Sequence, residues 1–176
     1  LQTNKADTAI QLLEKGIQYV EEKKSMRIQF LTQLGEANHK IGNYDQSDEY
    51  FKKVLEIDPD NIIVLNNYSY YLSQRGEKLK KALGYSNKTI QQEPNNPIYL
   101  DTYAWILFKM GKYQKAEKYM EKAMKNGGEK DPDLLEHYGD ILYKTGKEGK
   151  AAKYWERSKE MGNQSEQLQY KLENET

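Results

Sequence analysis

The sequence predicts an all-α chain of antiparallel helix hairpins stacked one on another, and three observations carry that expectation. The first is the stretch Asn95–Ala123, NNPIYLDTYAWILFKMGKYQKAEKYMEKA. Asn96 suits a helix N-cap, and Pro97 suits the first helical position, where the backbone N–H has no intrahelical partner. Leu100, Tyr103, Ala104 and Leu107 then make one apolar stripe at the 3.6-residue period. Gly111 permits the left-handed conformation that ends helices, and Tyr113, Ala116, Met120 and Ala123 form a second stripe beyond it. The second observation is the recurrence of that turn glycine as Gly42, Gly76, Gly111 and Gly146, spaced by 34, 35 and 35 residues. The third lies eight residues before each glycine, where Leu34, Tyr68, Tyr103 and Tyr138 are each followed at once by a small residue, Gly35, Ser69, Ala104 or Gly139. Helices of about 13 residues cannot bury both apolar faces within one hairpin, so such hairpins need neighbours of their own kind.

Residues 1–24 carry Ala9, Leu12, Leu13, Gly16, Ile17 and Val20, a helical stripe with no preceding partner, and are expected to be the second helix of a repeat whose first helix is missing. The first complete hairpin spans 25–61. Ser25 is expected to cap its first helix, which carries Ile28, Leu31, Leu34 and Gly35; its second helix turns Phe51 and Val54 inward and stops at Asp58-Pro59. The second hairpin, 62–96, has Leu65, Tyr68, Ser69 and Leu72 inward, then Leu79, Ala82, Leu83, Thr89 and Ile90. From Gly76 to Ala82 it is one residue longer than from Gly111 to Ala116, so its turn holds an insertion. The third hairpin is 97–131. The fourth, 132–163, opens with Asp131 as cap and Pro132 at the first helical position after a Gly127-Gly128 loop, and continues through Leu135, Tyr138, Gly139, Leu142, Ala151 and Trp155. Residues 164–176, with Leu168 and Leu172 on a mostly polar helix, are expected to cap the stack, whose last apolar face must be covered by something soluble.

These 176 residues suffice for a sizeable core, and 27 acidic against 27 basic side chains give no overall field favouring nucleic acid or an anionic membrane. Without cysteine there are no disulfides, thiolate metal sites or Cys nucleophile. No signal peptide and no 18-residue apolar run is present, so membrane insertion is not expected. The chain opens at Leu1 in what reads as the middle of a repeat, which leads us to expect a fragment of a longer polypeptide.

The spacing and the recurring positions resemble the tetratricopeptide repeat, whose pattern is W-x2-L-G-x2-Y, then A-x3-F, then Pro near the repeat end. The resemblance covers roughly residues 7–162. YLDTYAWILFKMGKYQKAEKYMEKA and LLEHYGDILYKTGKEGKAAKYW are similar in wording to bacterial members of the family with unassigned partners. It implies a right-handed solenoid of antiparallel hairpins with first helices lining a concave groove, and leaves bacterial cytoplasm and the periplasmic side of the envelope equally open. Asn38 stands where the family has an aromatic and Ser47 where it has Ala, so looser packing is expected there. One version of the repeat captures C-terminal carboxylates with a clamp of Lys, Asn, Asn, Lys and Arg. Here only Asn67 matches; the other clamp places fall on Thr32, Glu36, Ile98 and Thr102, which argues against that ligand.

Opposite the packing stripe, the third first helix carries Ile98, Asp101, Trp105 and Phe108. The matching positions elsewhere are Thr32, Glu36 and His39; Asn66, Tyr70 and Gln74; and Glu136, Asp140 and Tyr143. With Asn67 these form the candidate partner-binding groove, aromatic at its centre and acidic towards both ends. Aromatics there supply desolvated anchors, and amides and carboxylates fix an extended or helical peptide, best a basic or apolar one. The alternative is that Trp105 and Phe108 pack against adjacent helices. The function expected is therefore a non-enzymatic protein- or peptide-binding scaffold. The alternatives are a self-association segment or the regulatory arm of an enzyme lying outside this chain.

Other chemistries find little support. Lys112, Lys115, Lys118, Lys122 and Lys125, then Lys147, Lys150, Lys153 and Arg157, stud the second helices, but Glu117, Glu121, Glu148 and Glu156 interleave as on an ordinary solvated face, so nucleic acid is not the expected partner. His39 and His137 lie on different repeats with no metal-ligand spacing, and Gly127-Gly128 lacks the Lys and Ser/Thr of a phosphate loop. We therefore expect no catalytic residue, metal or cofactor.

Overall fold

In the computed structural model, residues 2–175 are described, with side chains from Asp7 onward. Ten α-helices and two 3₁₀ turns, Gln18–Val20 and Gly128–Lys130, make up the described chain, and no strand occurs in it. The helices are α1 (Gln2–Ile17), α2 (Lys24–Lys40), α3 (Tyr44–Ile57), α4 (Ile62–Arg75), α5 (Leu79–Gln92), α6 (Pro97–Lys109), α7 (Tyr113–Lys125), α8 (Pro132–Lys144), α9 (Glu148–Glu160) and α10 (Glu166–Asn174). The fold is all-α, of the helical-hairpin repeat kind. Two compact units, Leu1–Tyr71 and Leu72–Thr176, divide within α4.

The helix starts follow from the sequence. Asn96 accepts from Ile98 N and Tyr99 N, and Asp131 from Asp133 N and Leu134 N, each with proline at the first helical position. Asn61 Oδ1 accepts from Val64 N at 3.1 Å, and Ser165 Oγ from Leu168 N at 3.0 Å. Ser25 does not cap. The helix α2 begins at Lys24 with Lys23 as an N-cap that makes no side-chain bond, because the preceding turn already hands the chain over through Lys23 N→Val20 O and Arg27 N→Lys23 O, 2.9 Å each. All four turn glycines have positive φ, between 69° and 82°. The extra residue of the second hairpin is absorbed by Lys78, which caps α5 in the left-handed region at φ 48°.

In the first unit α2 packs on α1 and α3. Leu31, Leu34, Phe51, Val54, Leu65 and Tyr68 are buried. Gly35 is small for a reason: a Cβ there would stand 2.9 Å from the Phe51 ring. Asn38 and Ser47 are both buried, 3% and 0% exposed, and Asn38 also lines an open pocket between α1 and the turn from α2 to α3. Asn38 takes the aromatic's place by donating to Leu34 O at 2.8 Å. Ser47 Oγ, however, is buried without a hydrogen-bond partner.

In the second unit α5 packs on α6, α6 on α7, α7 on α8, α8 on α9 and α9 on α10. One continuous core contains Leu100, Leu107, Met120, Tyr138, Leu142, Trp155 and Leu168. A Cβ at Gly139 would fall on the Trp155 indole, the same close approach as Gly35 with Phe51.

Candidate functional site

The first helices carry the candidate groove residues, and their side chains are engaged in a recurring way. Six residues beyond three of the four side-chain caps stands a polar donor: Asn67 follows Asn61, His137 follows Asp131 and Lys171 follows Ser165, while the buried Thr102 holds that place after Asn96. Each of the three donors reaches a carboxylate on the preceding first helix of its own unit. Asn67 Nδ2 donates to Glu36 Oε1 at 3.0 Å. His137 Nδ1 lies 2.9 Å from Asp101 Oδ1. Lys171 Nζ lies 2.7 Å from Glu136 Oε1 and 2.7 Å from Asp140 Oδ1. The equal spacing of the caps puts these donors at equivalent places, so the polar contact repeats because the helix register repeats.

Around Asp101 the contacts are tight. The Trp105 ring stacks on His137 at 4.0 Å with an interplanar angle of 15°, and on Phe108 at 4.8 Å and 8°. Lys109 Nζ sits 4.7 Å above Trp105. Burial by itself would pull the His137 pKa down, but the Asp101 carboxylate and its hydrogen bond outweigh it, so the group titrates above its ordinary 6.5. A protonated His137 is then both the ion partner of Asp101 and a cation against the Trp105 face.

Across α8 and α10 the acids are also occupied. Glu136 accepts from Asn163 Nδ2 at 2.7 Å and from Ser165 Oγ at 3.2 Å as well as from Lys171. Burial raises its carboxyl, yet Lys171 and Asn163 hold it below the usual value. Asp140 accepts from Trp155 Nε1 at 3.0 Å, and its burial lifts its carboxyl above the usual range against the pull of Lys171.

The remaining candidates divide by exposure. In the first unit, Thr32 Oγ1 donates to Ile28 O at 2.8 Å, and His39 stacks on Tyr71 at 3.9 Å. Asn66 is buried, with its Nδ2 3.4 Å from Asn67 Oδ1, and Tyr70 is half-buried beside Tyr71. In the second unit, Gln74 is exposed, Asp101 and Trp105 are buried, Phe108 and Tyr143 half-buried, and Ile98 is 51% exposed. The face thus joins Glu36, Asn67 and Asn66 in one unit and Asp101, Trp105, Phe108, Glu136, Asp140 and Tyr143 in the other. Lys171 joins this set, and the sequence signal that places it there is the 35-, 35- and 34-residue spacing of Asn61, Asn96, Asp131 and Ser165. The clamp-like Asn67 is held by Glu36, where the carboxylate-binding clamp has an amide.

A family model of the tetratricopeptide repeat matches residues 1–165. The chain belongs to the tetratricopeptide-repeat family. Solved tetratricopeptide structures share its fold. It is 21% identical to a solved structure of PilF from Pseudomonas aeruginosa, over 96% of this chain and 82% of that one, with a TM-score of 0.67. It is 18% identical to PilW, described as a widely conserved type IV pilus biogenesis factor, over 89% of this chain and 77% of that one, TM-score 0.72. A tetratricopeptide protein of Thermus thermophilus is 17% identical over 97% of this chain and 90% of that one, TM-score 0.74. No curated protein matches the sequence. The tetratricopeptide repeat is commonly a protein-interaction scaffold, and among the described residues no helix is long and apolar enough to cross a membrane.

Proposed function

We propose that this chain is a non-enzymatic scaffold that holds an apolar protein or peptide segment on the face of its first helices. The observation that supports this reading is the division of labour on that face. The carboxylates Asp101, Glu136 and Asp140 already hold His137 and Lys171. Ile98, Phe108 and Tyr143 keep apolar surface in contact with solvent. A basic ligand would have to break internal ion pairs to be read, whereas an apolar one covers surface that the repeat leaves open, and half-buried aromatics are the usual anchors of such contacts. The direct test is affinity capture from the source cell's lysate with the wild type and the Phe108→Ala/Tyr143→Ala variant, matched for helicity by circular dichroism. The scaffold reading expects a protein retained by the wild type and lost by the variant; identical retention by both overturns it.

A second reading, self-association, is favoured by α1 and the turn after it, where Leu12 and Tyr19 are 65% and 79% exposed. Sedimentation that is independent of concentration up to about 100 µM, far weaker than specific dimers of micromolar Kd, would eliminate it.

A further inference from the structure

The N-terminal ends of the first helices hold a feature that helix physics does not ask for. At the second helical position α8 has Asp133, as the positive end of the helix dipole favours. At the same position α4 has Ile63 and α6 has Ile98, 58% and 51% exposed. A β-branched apolar residue gains nothing there from the dipole, and these two leave more than half of their surface in water.

Beside Ile63 the first unit has an open pocket of about 430 Å³ between α2 and the start of α4, lined by Ile28, Ile63 and Val64 together with the uncharged polar residues Gln29, Gln33 and Asn61. None of the described residues that line it is ionisable, on a chain in which 31% of residues are charged. No lining residue offers a counter-charge to a charged ligand group, and the carboxylate beside the pocket, Asp58, is already engaged by Asn61 Nδ2 at 3.0 Å. The exposed carboxamides of Gln29 and Gln33, one turn apart on α2, can pair with main-chain N–H and C=O groups. An extended segment leaves such groups free and a helix does not.

We propose that this pocket is an anchor subsite for one aliphatic side chain of an extended, uncharged peptide segment. It deepens the scaffold reading by naming what its first unit selects.

The probe is a phage-displayed library of random dodecapeptides selected on the full chain, followed by fluorescence polarisation of the selected peptides. The proposal expects an uncharged motif centred on Leu, Ile, Val or Met. Ile63→Lys should weaken binding at least tenfold with unchanged circular dichroism, since the side chain is exposed. Peptide titration should also shift the methyl resonances of Ile28, Ile63 and Val64. Peptides that bind Ile63→Lys and wild type equally, but lose affinity for Phe108→Ala/Tyr143→Ala, overturn the subsite and leave the scaffold reading standing. A library that yields no binder to the wild type counts against both.

Discussion

Two glycines separate backbone strain from packing. Gly111 has φ +73° and open space around its missing Cβ, so Gly111→Ala should cost about 1 kcal/mol through conformation alone. Gly139 sits in a helix with the Trp155 indole against it, so Gly139→Ala should cost about 1–3 kcal/mol by overpacking. Urea denaturation of the two variants measures both, and combining Gly139→Ala with Trp155→Phe should return part of the loss for Gly139 only. Ser47 gives the opposite sign. Its buried hydroxyl lacks a partner, and Ser47→Ala restores the residue usual in the family, so stability should rise by about 1 kcal/mol, read as a higher Tm. His137 supplies a pH dependence. Its folded pKa lies above the ordinary 6.5 because the facing acids Asp101, Asp140 and Glu136 outweigh burial. The contribution is therefore complete below about pH 6.5 and disappears as pH rises through the raised value. The Tm gap between wild type and His137→Gln should narrow from pH 6 to pH 9; a constant gap would contradict the ion-pair account.

At the scale of elements, α10 packs on α9 in the manner of a first helix. Leu168 and Lys171 face α8 and α9 as an internal repeat would, but Gln169 and Glu173, hydrogen-bonded to each other at 3.0 Å, occupy the places where α8 has Leu135 and Gly139. These places are polar in α10 and apolar or small in α8. Because Lys171 satisfies two largely buried carboxylates, Lys171→Met should destabilise the chain by about 2 kcal/mol, between the values for exposed and buried pairs. Adding Glu136→Gln and Asp140→Asn should recover part of it, and a double-mutant cycle in urea checks both. The hairpins, caps and turn glycines are legible in the sequence because each rests on local chemistry: an Asn or Asp before Pro, a glycine at a fixed offset, a stripe at 3.6 residues. Ser25 misleads because its residue type suits a cap, while the backbone entering from the preceding turn has already started α2 at Lys24.

For the molecule as a whole, the family follows from the repeat pattern, whereas the character of the candidate face follows from pairings that no single helix displays. Asp101, Glu136 and Asp140 suggest an acidic groove when each helix is taken alone; their partners His137 and Lys171 lie 36, 35 and 31 residues away. Trp105 suits ligand or core equally on helical spacing, and its stacking on His137 and Phe108 leaves it 8% exposed. Exposed positions on a repeat scaffold are not set by packing, so they carry no internal signal of what they bind. Photo-crosslinking tests the central claim most directly: benzoylphenylalanine at Tyr143 on a first helix, compared with the same group at Lys122 on a second helix, in the source cell's lysate. The account predicts a discrete adduct from position 143 and none from position 122; adducts confined to position 122, or none from either, would contradict it.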